Sequence, residues 1–320
     1  MRTRSDRLVA VATLGAFVVV TGVLGLVSLY LGAVTQALSE VPRSSPLPDY
    51  PGRPEPTASA DTPAPVRYLV LVTDSDGDLA SAYLAQLSGR RDALQFVGLP
   101  ANLLVSDVRG AEATLAHRFA AGGADAVRSV EILLGVRIDH LVEVHLEGFA
   151  RVIDVIGGVE VPNRAEMSAE GWHFPAGELR LSSAEAVVYL SANKQPMTRL
   201  ERTEAVFVEI VRGIVSSDAL TNPAKVDALG TVLRTCLTVD AGLTPGEVRR
   251  TALDVHLTAE AIDGFPLPLA GLSELNGAPV IVADAGRVAE LTNALVADEL
   301  AGWASRQTDP WRPLVALPPR

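Results

Sequence analysis

Residues Gly135 to Val161 read GVRIDHLVEVHLEGFARVIDVIGGVEV. The alternation in Leu141 to Leu146 (LVEVHL) is that of a strand, because successive side chains on a strand point to opposite faces. Phe149, Val152, Ile153 and Ile156 then follow the i, i+3, i+4, i+7 spacing of an amphipathic helix. Gly157 and Gly158 end it, since glycine readily takes the left-handed conformation beyond a C-cap. Val159 to Val161 starts another strand, so a helix packed on a sheet is expected.

The flanking sequence extends this pattern. Arg67 to Thr73 (RYLVLVT) is a continuous apolar run ending in an acidic cluster, as in a central strand covered on both faces. Tyr83 to Leu87 and Leu94 to Leu99 read as further strands, and Ala111 to Leu134 as helical with an interruption at Gly122 and Gly123. Arg199 to Val215 is the best-defined helix: Thr198 and Glu201 have the spacing of a capping box, and Leu200, Phe207, Ile210, Val211 and Ile214 form one stripe. Arg199 and Arg202 lie off that stripe on one face of the predicted first turn. Two guanidinium forks there could clamp a phosphate; the plainer alternative is solvated arginines pairing with Glu201 or Glu204. The fold class read from these elements is mixed α/β, a central mixed sheet flanked by helices.

Composition narrows the chemistry. The 320 residues are 48% apolar with a formal charge of −11, which argues against nucleic acid as a partner. One cysteine, Cys236, excludes an internal disulfide and a cysteine-built zinc site. The sequence lacks HExxH, a GxxxxGK[ST] phosphate loop and GxSxG. Leu8 to Val34 carries no charge and follows Arg2, Arg4 and Arg7, the pattern of a single membrane span with its N-terminus cytoplasmic. The alternative, a cleaved signal peptide, would have an apolar region of only about 7–15 residues. Eight prolines between Pro42 and Pro65 suggest an extended spacer. The expected organisation is therefore an N-terminus and anchor (1–38), a Pro-rich linker (39–65), one extracytoplasmic domain (66–305) and a tail (306–320).

Gly135 to Val161, Phe174 to Leu190 (FPAGELRLSSAEAVVYL) and Arg199 to Arg202 (RLER) together resemble, in order, motifs of the LytR-CpsA-Psr family. That resemblance implies a central mixed sheet with a hydrophobic cavity for a polyprenyl chain. It also implies transfer of a glycopolymer from a polyprenyl-pyrophosphate carrier to peptidoglycan or a related wall acceptor, with Mg²⁺ bridging the pyrophosphate. Such phosphoryl transfer needs cations against the diphosphate and carboxylates for the metal or the acceptor hydroxyl.

The sequence departs from the family at the charged positions. The family's GSDSR reads Val72, Thr73, Asp74, Ser75, Asp76; its DT falls on Ala80 and Ser81; and its IPRD reads Leu99, Pro100, Ala101, Asn102. Its R-x-R falls on Ser191 and Asn193, and the acidic residue ahead of GR on Pro196. Asp74 as catalytic carboxylate and Arg199 and Arg202 as phosphate ligands are what the resemblance leaves, with Lys194 as a replacement point charge. Asp74, Asp76 and Asp78 could instead converge on a metal, although the calcium-loop glycine and glutamate are replaced by Leu79 and Ala85. Arg90 to Asp92 reads as a turn, and His140 and His145 as structural. The expectation is a wall-assembly protein that binds polyprenyl-(pyro)phosphate-linked precursors with weakened or lost transfer. The alternative is an active Mg²⁺-dependent transferase with a rearranged site.

Overall fold

The computed structural model of the chain describes residues 40–57, 63–192, 195–217, 219 and 222–307. The expected span at Leu8 to Val34, residues Asn193 and Lys194, and the tail beyond 307 lie outside these residues. Among the described residues no helix is long and apolar enough to cross a membrane.

In chain order the strands of the main sheet are β1 (Arg43–Ser44), β2 (Val66–Thr73), β3 (Leu79–Leu87) and β4 (Leu94–Pro100). A small pair, β5 (Leu104–Ser106) and β6 (Glu112–Thr114), precedes helices α1 (Leu115–Ala120) and α2 (Gly123–Leu134), and β7 (His140–His145) returns to the sheet. Helices α3 (Leu146–Ala150) and α4 (Val152–Ile156) lead to β8 (Val159–Asn163), β9 (Met167–Ala169), β10 (Trp172–Phe174) and β11 (Gly177–Leu181). Then follow α5 (Ser183–Ser191), α6 (Pro196–Ser216), α7 (Pro223–Cys236), β12 (Leu237–Asp240), α8 (Pro245–Asp254) and β13 (Ile262–Pro266). The hairpin β14 (Leu269–Leu275) and β15 (Ala278–Ala283) and helices α9 (Ala285–Ala297) and α10 (Leu300–Ala304) complete the domain.

The seven-stranded sheet has the order β1-β12-β7-β2-β3-β4-β13. It is mixed: β2 runs parallel to β7 and antiparallel to β3, while β4 runs antiparallel to β3 and parallel to β13. Both faces of β2 are covered, which is why its sequence is continuously apolar rather than alternating. Leu69 and Leu71 pack with α2 and α9 on one side; Val70 and Val72 face α3 to α7 on the other. The expected helix over Phe149 to Ile156 is divided into α3 and α4 at Arg151, ahead of the left-handed Gly157. Glu112 to Thr114, within the stretch expected as helical from Ala111, instead pairs as β6 with β5, so α1 begins only at Leu115.

The Pro-rich segment, expected as an extended spacer, is fastened along the domain wherever it is described. β1 adds a parallel strand to β12. Val41 is buried against Val239 and Leu243, and Arg43 Nη1 donates to the Leu243 carbonyl at 2.6 Å. Tyr50 Oη and Arg53 Nε both donate to the Glu131 carboxylate, at 2.9 and 3.0 Å. Arg53 also reaches the Ile138 carbonyl, and buried Arg67 donates to Thr57 Oγ1. Proline content limits a segment's own core but does not stop side chains between the prolines from docking on another one.

Candidate functional site

β2 delivers the first site residue. After Thr73 the chain turns sharply: the Asp74 amide donates to the Asp78 carbonyl and the Gly77 amide to the Asp74 carbonyl, both at 3.0 Å, with Gly77 at positive φ. Asp74 Oδ1 accepts the amides of Asp76 and Asp78 at 3.2 and 3.0 Å, and Oδ2 accepts Arg199 Nη2 at 3.0 Å. Burial pushes the Asp74 carboxyl up, but the Arg199 hydrogen bond and charge and the two amides outweigh it, leaving its pKa below the ordinary value.

Asp76 and Asp78 are exposed. Among the described residues no three histidine, cysteine or carboxylate side chains are grouped to hold a metal. The expected convergence of Asp74, Asp76 and Asp78 is thus replaced by an Asp-capped turn, because Asp74 turns back onto the amides of the other two. Mg²⁺ fits poorly here: it asks for near-octahedral oxygen ligands, and the one retained carboxylate is engaged by a guanidinium and two amides.

Helix α6 carries the arginines, but it begins earlier than the sequence suggests. Pro196 is its first residue and Gln195 its N-cap, so Thr198 is not a cap. The proline ring pre-sets the helical φ and lacks the N–H that would be unsatisfied at that position anyway. The Arg199 amide is already in the helical ladder, donating to the Gln195 carbonyl at 2.9 Å, so the two arginines follow the open first turn of α6 rather than forming it. Glu201 pairs with Arg164 instead of closing a capping box. Arg199 takes Asp74 as its partner, and the Arg202 guanidinium lies over the Tyr189 ring at 4.8 Å. Among the described residues, one buried guanidinium nitrogen of each arginine has no hydrogen-bond partner, Nε of Arg199 and Nη1 of Arg202.

Four of the positions where the sequence lacks family charges are placed by the fold alone. Ala80 and Ser81 are buried at the start of β3. Ala101 packs on the core, and Asn102 donates to the Pro279 carbonyl at 3.3 Å, tying the end of β4 to the β14-β15 hairpin. His140 binds Asp240 at 3.3 Å within the fold.

Beneath α6, Phe207 stacks on Phe149 and Tyr83 with centroids 4.9 and 5.6 Å apart and meets Phe96 edge-on at 5.4 Å. Beside Arg202 there is a cleft of about 480 Å³ between α6, the end of β8 and β13, lined by apolar residues such as Ala205 and Val208 together with charged ones. One of its wall residues is not singled out by the sequence reading. Glu204 is only 4% exposed, yet its Oε2 has no hydrogen-bond partner. Burial, followed by the Asp263 and Glu201 charges, raises its pKa well above the ordinary value. Gly98 and Gly264 make its space: a Cβ would lie 2.4 Å from Oε2 at the first and 2.9 Å from Oε1 at the second. The signal was in the sequence, since Glu204 sits four residues after Leu200 and three before Phe207, on the apolar stripe itself.

Comparison with known proteins gives a consistent frame. Residues 75–297 match the LytR_cpsA_psr family. The polyisoprenyl-teichoic acid–peptidoglycan teichoic acid transferase TagU of Bacillus cereus is 32% identical over 137 residues, covering 41% of this chain and 45% of TagU. The cell wall biosynthesis protein LcpA of Corynebacterium glutamicum is 33% identical over 128 residues, covering 38% of this chain and 25% of LcpA. The matches thus span half or less of these two relatives. Among solved structures, B. subtilis TagV superposes with a TM-score of 0.61 at 20% identity, covering 74% of this chain and 97% of TagV. The LytR-Csp2A-Psr enzyme from Actinomyces oris gives 0.58 at 18% identity, covering 82% and 95%. At these identities the structural likeness is one of fold.

Proposed function

Starting from the fact that this chain belongs to the LytR-CpsA-Psr family, we propose that it binds polyprenyl-(pyro)phosphate-linked glycopolymer precursors in cell wall assembly, at the outer face of the membrane, with weakened or lost transfer to peptidoglycan. Two relatives support the substrate class: TagU is a polyisoprenyl-teichoic acid–peptidoglycan teichoic acid transferase, and LcpA is a cell wall biosynthesis protein. The observation that carries the binding half is the pair of buried, unpartnered guanidinium N–H groups on Arg199 and Arg202. Diphosphate oxygens would give these groups partners, as charge-assisted hydrogen bonds to phosphate are among the stronger ones available.

The impaired-transfer half rests on the carboxylates. Metal-assisted transfer uses oxygen ligands free to hold the cation, and removing preorganised charge from such a site commonly costs orders of magnitude in rate. Asp74 is committed to Arg199 and to its own turn, and Ala101 and Asn102 carry no charge.

The test is to present the purified protein, with Mg²⁺, with a polyprenyl-pyrophosphoryl glycan. Binding without detectable glycan transfer is expected, and Asp74→Ala should leave that baseline where it is. Transfer by the wild type that Asp74→Ala abolishes would overturn the impaired reading and return Mg²⁺ and the Asp74, Asp76, Asp78 loop to the reaction.

A further inference from the structure

Strand direction shows at which end of the sheet the chain enters the domain. Arg43 on β1 pairs with Val239 on β12, Val239 with Val142 on β7, and Val142 with Val70 on β2, so the four residues form one row across the sheet. β1 is parallel to β12, β12 antiparallel to β7, and β7 parallel to β2. Followed backwards, β1 therefore leads to the C-terminal end of β2, the end that carries the Asp74 turn. Pro42, one residue before β1, lines a small cleft together with Thr73 and Gly77. Glu40, the first described residue, pairs at 3.2 Å with Arg234 in the wall of that cleft. Arg199 is drawn to the same end by its bond to Asp74. The opposite end holds the 88–92 turn between β3 and β4. Because β2 and β3 pair along the eight residues of β2, the two ends are about 24 Å apart.

This direction of entry limits how the domain can stand on a membrane. The charge-free run from Leu8 to Val34, whose composition is that of a membrane span, ends six residues before Glu40. Even fully extended, that stretch reaches at most about 20 Å. Beyond it the chain is fastened at once, since Val41 is only 3% exposed and Arg43 holds the Leu243 carbonyl. A domain standing with its 88–92 turn on the bilayer would lift Glu40 by about the strand length, more than the tether spans. Surface charge does not set the orientation, because Asp76 and Asp78, exposed at the Asp74 end, are repelled by acidic lipid.

We propose that residues 40–57 are a strap that orients the domain, holding the Asp74 turn and Arg199 toward the lipid surface and the 88–92 turn away from it. The proposal rests on the single-span reading and deepens the lipid-diphosphate one. A diphosphate on an outer-leaflet lipid then meets Arg199 from the bilayer side. Reach, which the proline content of the segment suggested, is cancelled by the docking of β1.

The experiment uses the full chain in vesicles of phosphatidylethanolamine and phosphatidylglycerol that carry a headgroup-linked acceptor dye. Ser75→Cys and Arg90→Cys place a donor dye at the two ends, both positions being exposed, while the native Cys236 is buried. The donor is membrane-impermeant and added from outside, so only outward-facing domains report. Energy transfer to the lipid should be at least about twofold stronger from position 75 than from position 90, given ends about 24 Å apart. Salt at about 1 M, where the Debye length is about 3 Å, should leave this ratio unchanged. A flexible Gly-Ser insertion of about twenty residues between Ser39 and Glu40 should bring the ratio to one without touching the fold. So should Val41→Asp combined with Arg43→Ala, which releases β1. Equal transfer from the two positions in the wild type, or stronger transfer from position 90, overturns the strap. A ratio lost in salt, or one that survives the insertion, does the same. In each of these cases the diphosphate reading, tested by binding in solution, is left standing. A chain that does not float with the vesicles overturns the single-span reading and the strap together.

Discussion

Two glutamates of this protein are buried to nearly the same degree and live opposite lives. Glu131, on α2, is fully covered and accepts from Arg53, Tyr50 and the Ile138 amide, with the Arg53 ion pair at 3.0 Å. Glu204, on α6, is 4% exposed, with one oxygen unpartnered and two glycines cleared around it. The first carboxylate was given partners and holds the Pro-rich segment to the domain. The second was given space beside a cleft, and a buried carboxylate without a cation tends to keep its proton. Burial alone therefore does not fix the charge state of an acid; the partner set does.

The largest expected effect comes from breaking the satisfied member. Glu131→Ala strands the Arg53 guanidinium in a buried position, and removing one partner of a buried pair typically costs about 3–5 kcal/mol. Denaturant unfolding measures the loss, and limited proteolysis should open residues 40–57 ahead of the rest. A loss below about 1 kcal/mol would mean that the segment is held by β1 alone and would remove the contrast.

Next in size are the ligand arginines on α6. Arg199→Ala or Arg202→Ala should weaken lipid-diphosphate binding by about 1–3 kcal/mol, the scale of a lost charge-assisted hydrogen bond. Titration calorimetry with farnesyl diphosphate reads this directly.

Glu204→Gln should move stability the other way. The native state holds the Glu204 proton at a higher pH than the unfolded chain does, so above the unfolded pKa of about 4.3 the native state binds more protons, and stability falls as pH rises. Removing the ionisable group should therefore raise the melting temperature at neutral and higher pH, with the gain vanishing below about pH 4. Melting curves across pH for the two proteins decide it, and a gain that persists in acid would place the effect outside Glu204 ionisation. Asp74 has the opposite sign: its lowered pKa contributes stability present above its unfolded pKa of about 3.9 and lost as pH falls through the folded value. Its side chain is 23% exposed, so this acid-limb change should be small, and Asp74→Asn should flatten it.

The smallest effect tests the start of α6. Were Thr198 an N-cap, Thr198→Ala would cost about 1 kcal/mol; with Pro196 leading the helix it should change stability by less than about 0.5 kcal/mol.

Much of the fold was legible because its strongest signals are local. The apolar run at Arg67 to Thr73 lies on β2, the alternation at Leu141 to Leu146 on β7 save for Leu146, which opens α3, and the paired glycines Gly157 and Gly158 at the end of α4. The motif order from Gly135 to Arg202 pointed to the family that the comparison with known proteins also reached. Less legible were features in which two local rules compete. Thr198 with Glu201 and Pro196 with Gln195 are both acceptable helix starts, and only the longer chain context selected the second. The Pro-rich stretch carried the right composition for a spacer while Tyr50 and Arg53 carried the docking groups, and their partner is a glutamate 78 residues from Arg53.

By itself, the amino-acid sequence determined the period of each element, the placement of glycines where φ must be positive, and which family charges are missing. These are properties of neighbours along the chain, so they can be read there. Only the tertiary structure decided the partners: that Asp74 closes on Arg199 from 125 residues away, that Glu131 receives Arg53, and that Glu204 receives no cation among the described residues. The physical reason is that the charge state and hydrogen-bonding capacity of a buried group depend on what lies within a few ångströms of it, and β-sheet register and helix packing bring those atoms together from distant parts of the chain.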